Sequence, residues 1–223
     1  MGESIIFASY FAMYPNPQGK NYRKDKTKYI QPLYDSVVKL GLNMIIFHDH
    51  LSDKFIRRNS TDKIRFEKYI PRYKIPFMSR FYCYLDYLTK NTYDKILCLD
   101  CGDLELYKNP FPLIDDKIMI GSEDGLIEDS TWMRDQFRKA YGETLYGDRQ
   151  ILNCGIIGGR YNALLVLLTL FEEDTRHIKS NIVDMAVFNK LIYDSFNYDT
   201  GHPIHTVFGK NEGRESGCYI RHK

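Results

Sequence analysis

The chain has no apolar run long enough to cross a membrane as a helix. Its longest tract, Ala163 to Leu168 followed by Leu170 and Phe171, falls well short of the roughly 18 residues a span needs. Net charge is nearly absent too. The 31 Lys and Arg residues face 29 Asp and Glu, a formal +2, which excludes a general nucleic-acid or membrane-surface binder and makes any charge logic local. No repeat or low-complexity segment interrupts 223 residues that are 43% apolar and 27% charged, so an ordinary globular core is expected rather than disorder.

Phosphate-cradling loops are missing as well. Neither G-x-G-x-x-G nor G-x-x-x-x-G-K-[ST] occurs, and "CGIIGGR" has the wrong spacing for both, which disfavours a dinucleotide enzyme or P-loop kinase. Without a G-x-S-x-G elbow, serine hydrolysis has no support. The five cysteines are an odd number and no signal peptide opens the sequence, so a soluble protein of a reducing, cytoplasmic compartment is expected. Cys98 and Cys101 have C-x-x-C spacing but no second pair, which argues against structural zinc. The basic runs "KNYRKDKTK" and "RRNSTDKIRFEKYIPRYK" read as solvated faces in preference to phosphate contacts. The alternate histidines of "HDH" (48 to 50) read as surface residues in preference to a metal pair.

Apolar, β-branched runs alternate with helical periodicity along the chain. Strands are expected at 4–11, 43–50, 95–100, 117–123 and 151–159, with a last short one in "GCYIRHK". Helices are expected at about 28–40, stopped by Gly41, and at 79–91, with Ser79 as N-cap. Others follow at 130–142, at 161–173, apolar nearly all round and hence buried, and at 183–196, with Asp184 as a possible N-cap. Such alternation predicts an α/β fold, a three-layer α/β/α sandwich around a mainly parallel sheet. In open sheets ligands bind beyond the carboxyl ends of the strands. Those ends carry Ser9 and Tyr10, Asp100 and Asp103, and Glu123 and Asp124.

The stretch "DKILCLDCGDLELYKNPF" poses the sharpest question, because a buried strand runs directly into Asp100, with Asp103 and Glu105 close behind. Carboxylates held together repel unless a cation neutralises them, and Mg²⁺ or Mn²⁺ takes oxygen ligands from one or two acids on an open side. Asp100 and Asp103, with Gly102 free to turn between them, match that need; Glu105 would join them only on an extended segment. The competing reading is that Asp100 caps a turn and the other two are solvated.

"ILCLDCGDLELYKNPF" resembles the aspartate motif of GT-A glycosyltransferases, in a variant where an apolar strand ends in D-x-x-D and runs through an aromatic to [DN]-P-F. "SRFYCYLDYL" resembles the helix before that motif, "LNCGIIGGRYNALLVLL" the asparagine-glycine strand and following helix, "VDMAVFNKLI" the late helix opening with an acid, and "GCYIRHK" the closing strand. The resemblance spans Ser4 to His222 and is close in scale to the small glycosyltransferase domains of large DNA viruses and algae. It departs from the usual D-x-D by one extra residue between the acids.

The resemblance implies one GT-A (Rossmann-like) domain over 1–223, with a nucleotide-sugar half at about 1–110 and an acceptor half at about 111–223. It implies a glycosyltransferase of hexosyl or deoxyhexosyl type. The donor would be a UDP-sugar with Mn²⁺ or Mg²⁺, and the acceptor a glycan hydroxyl, free or on a glycoprotein. Asp100, Asp103 and His222 would hold the metal, with Asp103 the direct ligand and His205 in reserve. Arg80 would support the phosphates or donor sugar, and Ser9, Tyr10 and Cys101 would line the nucleotide side. Asn153 and Asp184 would face the sugar with Glu123 nearby, Asp184 as base in an inverting enzyme or as stabiliser or nucleophile in a retaining one, the latter preferred. The alternatives are an inactive sugar-nucleotide or glycan-binding module and a sugar-nucleotide pyrophosphorylase. The pyrophosphorylase would open with a glycine- and arginine-rich loop, and "FASYFAMYPNPQGKNYRK" has a single glycine there.

Overall fold

A computed structural model describes residues 2–14, 23–72, 75–178, 182–210 and 212–223. In chain order its strands are β1 (Ser4–Tyr10), β2 (Met44–His48), β3 (Ile64–Lys68), β4 (Lys95–Leu99), β5 (Leu104–Leu106), β6 (Ile118–Leu126), β7 (Gln150–Arg160), β8 (Tyr198–Asp199) and β9 (Ile220–His222). The helices are α1 (Gln31–Leu40), α2 (Asp53–Asn59), α3 (Pro76–Leu88), α4 (Thr131–Tyr141), α5 (Tyr161–Thr175) and α6 (Asp184–Ser195). Seven strands form one sheet in the order β3-β2-β1-β4-β7-β6-β8. Pairing is parallel except where β7 runs against β4 and β6. The fold is thus α/β around a mostly parallel sheet, compatible with a Rossmann-like architecture.

Both faces of that sheet are covered, which is why its strands read as unbroken apolar runs. Alternate residues of β1 split between two cores. Ile5 and Phe7 pack with the side of α3, α4, α5 and α6, while Ile6, Ala8 and Tyr10 pack with Leu33 and Val37 of α1 and Phe55 of α2. Helix ends follow local chemistry. Gly41 and Gly142 close α1 and α4 in the left-handed region, at φ 64 and 84, where a side chain would be strained.

Several expected boundaries shift. α3 begins at Pro76, a residue preorganised for the first helical position, so Ser79 is not the N-cap but a buried residue within the helix. Val183 precedes α6, and Asp184 is its first helical residue rather than its cap. α5 is not buried all round, since Val166 is exposed while Leu164, Leu167, Leu168 and Phe171 face the core. The second basic run holds the last three residues of α2 and all of β3, and it is not simply solvated. Arg65 donates to the hydroxyls of Tyr87 and Tyr93, and Arg72 pairs with Asp86 and Glu172. Part of the first run, residues 20–22, lies outside the described residues.

Two features position the site. The chain leaves β1 towards β2 on one side and returns to β4 on the other, so a topological switch point lies at the carboxyl ends of β1 and β4. The C-terminal strand β9 pairs antiparallel with β5, setting Leu104 opposite His222, and the Lys223 N–H donates to the Asp103 carbonyl at 3.0 Å. The last residues of the chain are thereby held against the turn after β4.

Candidate active-site cleft

Seven candidate residues from six parts of the fold line one cleft of about 450 Å³: Arg80 (α3), Asp100 and Asp103 (the turn after β4), Glu123 (β6), Asn153 (β7), Asp184 (α6) and His222 (β9). The three acids of "DKILCLDCGDLELYKNPF" have separated. Asp100 meets Arg80, Asp103 faces the cleft, and Glu105 turns away to Arg214 and Arg221.

Arg80 is the hub. It is buried, its Nη1 pairs with Asp100 Oδ1, and its Nη2 lies 3.6 Å from Asp184 Oδ2 and donates to Cys154 Sγ at 3.5 Å. Its guanidinium carbon also sits 4.5 Å from the centroid of the Phe81 ring. Burial alone would lower its pKa, but the Cys154 thiol and the Asp184 carboxylate more than offset this and hold it above the ordinary value. The cation is therefore permanent, and it is committed to Asp100 and Asp184 rather than left open. Asp184 shows the converse balance: burial raises its pKa, with partial relief from Arg80. The Cys154 thiol donates to Asp184 Oδ2 at 3.7 Å, a long sulfur contact.

Irregular pairing between β6 and β7 shapes the opposite wall, with register shifts at Ile120/Gly121 and Ser122/Leu126. Asn153 spans it, donating from Nδ2 to Glu123 Oε1 at 2.6 Å and accepting the Gly155 N–H on Oδ1 at 2.7 Å. Burial raises the Glu123 pKa against the pull of that hydrogen bond. A Cβ on Gly155 would come within 2.9 Å of both Asn153 Oδ1 and Asp100 Oδ2, so only glycine allows these two side chains to close on the strand.

His222 is buried, and its Nδ1 has no hydrogen-bond partner among the described residues. Burial, and secondarily His205, lower its pKa to about 3, so the ring is neutral at ordinary pH. His205 differs. Its Nε2 accepts the backbone N–H groups of Ser122 and Gly201 at 3.1 Å, and its Nδ1 contacts the Thr206 carbonyl at 2.8 Å, so the proton resides on Nδ1. Both nitrogens are in use, and His205 is a structural histidine rather than a reserve ligand.

Among the described residues no group of three or more His, Cys, Asp or Glu is gathered tightly enough to hold a metal ion. Asp100, Asp103 and His222 share the cleft wall, but Asp100 is drawn to Arg80. The donor set nevertheless suits Mn²⁺ chemically: two carboxylates and a neutral imidazole with an unused nitrogen.

Ser9, Tyr10 and Cys101, the nucleotide-side candidates, are not among the residues that line this cleft. Ser9 and Cys101 meet at the switch point, where the Cys101 thiol donates to the Ser9 carbonyl at 3.0 Å. Tyr10 is a core residue and not a stacking wall: its ring packs on Tyr29 and Phe55, and its hydroxyl donates to the Arg23 carbonyl and accepts the Lys26 N–H. Burial pushes that phenol up to about 12. Asp124 is exposed and paired with Lys210. In "HDH", only His50 is a surface residue. His48 is buried and accepts the Leu51 N–H, while the Asp49 carboxylate anchors the backbone N–H groups of Ala12 and Met13.

No family model matches this chain, and no curated protein does. Its functional reading therefore rests on the cleft. That cleft also contains side chains not named as candidates from the sequence: Phe77, Trp132, Cys154, Ile182, Met185 and Phe208. Of these, only Trp132 has a signal in the sequence, as an aromatic in the first turn of the helix "STWMRDQFRKAY". All five cysteines are buried free thiols, and no helix of the described residues is long and apolar enough to cross a membrane.

The histidines make stability depend on pH. His48, His205 and His222 all have pKa values lowered by burial, so the unfolded chain takes up their protons first as pH falls below about 6.5. Asp184 and Glu123, with raised values, act in the opposite direction, but they are two groups against three. The melting temperature is expected to fall steadily from pH 7 to pH 5. Each histidine contributes up to about 1.4 kcal/mol per pH unit, the energy of one pKa unit. A flat or rising melting temperature over this range contradicts the assignment.

Proposed function

We propose that the chain is a metal-dependent glycosyltransferase that moves a sugar from a nucleoside diphosphate donor, a UDP-sugar, to a glycan hydroxyl with retention. One observation carries the reading. Residues scattered from Arg80 to His222, named together by the resemblance to GT-A enzymes, line a single cleft. That cleft adjoins the carboxyl end of β4 at the switch point of an open α/β sheet.

Asp103, His222 and Asp100 would hold Mn²⁺, which when bound supplies charge neutralisation for the departing diphosphate. The chain's own residues do the rest. Arg80 holds the Asp100 and Asp184 carboxylates in fixed positions around one buried cation. Asn153 and Glu123 present an amide and a carboxylate for sugar hydroxyls. Asp184, pinned between Arg80 and the Cys154 thiol, is better placed as a fixed negative charge beneath the sugar than as a mobile proton acceptor, which favours retention.

The test is a panel of nucleotide sugars assayed for binding and slow hydrolysis with and without Mn²⁺. At least one donor is expected to bind in a metal-dependent manner and to hydrolyse, and Asp103→Asn is expected to lower that hydrolysis about 100-fold. This is the upper range for disturbing a metal site. Metal-independent behaviour with every donor sinks the proposal, and tight binding without hydrolysis selects the inactive module instead.

A further inference from the structure

The carboxylates do not account for the cleft's aromatic rim. Trp132, the only tryptophan in the chain, stands in the first turn of α4 with 39% of its surface open, and Phe208 is 38% open. Both line the cleft, whereas Met13, Val38, Ile70, Leu126 and Val166, the other large apolar residues exposed to this degree among the described residues, do not. Phe208 packs its ring on His222 at 4.7 Å between centroids. Trp132 makes no hydrogen bond, ring pair or cation–π contact with any other described residue. An indole left open in a polar concavity forgoes its burial unless a ligand covers it.

We infer that Trp132 is a stacking platform for a sugar ring of the acceptor, an inference that rests on the glycosyltransferase reading above. A pyranose is amphipathic, with hydroxyls around its rim and an apolar C–H face. The cleft offers the matching pair of surfaces: the indole and the Phe208 ring for the face, and Glu123 and Asn153 for the hydroxyls. A nucleobase would also stack, but the topology puts the base at the β1 side of the cleft, away from Trp132. The switch point lies between β1 and β4, while Trp132 follows β6, which is separated from β4 by β7. The cleft also extends on that side. Glu123 is shared with a further cavity of about 520 Å³, lined by Asp124, Gln150 and His202, which gives polar room for a second sugar.

A chain with one tryptophan reports on this position directly. The full chain, with Mn²⁺, is titrated with UDP, and then with methyl glycosides of common hexoses and their disaccharides, while tryptophan emission is followed. At least one saccharide is expected to give a saturable change, and UDP none. By calorimetry, Trp132→Ala should weaken that saccharide about tenfold, the range of an aromatic stacking contact. Trp132→Phe should restore affinity to within about threefold, and UDP affinity should stay within twofold in both variants. The inference is overturned if UDP alone moves the emission, if no saccharide does, or if Trp132→Ala binds saccharide normally. Failure of the broader reading looks different: no nucleotide sugar binds or hydrolyses, while Trp132 still responds to saccharide.

Discussion

An Arg80→Met variant is expected to unfold roughly 10 °C below the wild type at pH 8 and to recover much of that deficit at pH 5. Methionine has a similar reach but no charge, so the substitution leaves Asp184, buried, without its cation and releases Asp100. Removing one partner of a buried ion pair costs about 3–5 kcal/mol, because the remaining charge stays desolvated. For a chain of this length each kcal/mol lowers the melting temperature by about 2–4 °C. The pH dependence follows from linkage. The folded-state pKa of Asp184 is already raised by burial and rises further without Arg80, so the folded state gains a proton, and stability, as pH falls. A deficit that is the same at pH 5 and pH 8 would show that Arg80 acts through packing alone. Adding Asp184→Asn to Arg80→Met should recover part of the loss, since the stranded charge is then gone.

Where a residue's place in the fold depends on sequence order and strand ends, it is legible in the sequence. The run "ILCL" predicts a strand with Asp100 at its end, and the pairing of β9 with β5 brings His222 to Asp103 across more than half the chain. Where that place depends on what packs opposite, it is not. β3 escaped notice because it is an edge strand with a single fully buried residue, Ile64, so no apolar run marks it. Tyr10 is indistinguishable from a base-stacking residue until α1 and α2 cover it. Ser79 suits an N-cap by type, yet Pro76 starts the helix three residues earlier and leaves Ser79 buried within it. The engagement of Arg80 with two acids was equally hidden, since nothing local in "SRFY" says which carboxylates its guanidinium will reach. Trp132 shows the limit most clearly, because an exposed tryptophan and a core one look identical in the sequence.

On the proposed glycosyltransferase reading, the same charge balance separates catalysis from folding at Asp184. Asp184→Asn keeps the shape of the side chain and removes the charge whose burial the fold already resists, as its raised pKa records. Arg80 retains Asp100 as a partner, so no cation is stranded. The melting temperature at pH 8 is therefore expected to stay within about 3 °C of wild type, a difference of about 1 kcal/mol. Transfer and donor hydrolysis, by contrast, should fall on the order of 10³-fold, the upper range for deleting a preorganised electrostatic contact to the transition state. Wild-type activity should decline on the acid side of the raised Asp184 pKa, and the residual activity of the Asn variant should lack that limb. Metal-dependent donor binding should be nearly unchanged, because Asp184 is not among the residues assigned to the cation. Asp103→Asn should give the opposite pattern, with binding lost first. If Asp184→Asn instead unfolds the protein or leaves hydrolysis intact, the carboxylate is only a counter-ion for Arg80, and the catalytic charge must be sought at Glu123, the other cleft acid whose pKa burial raises.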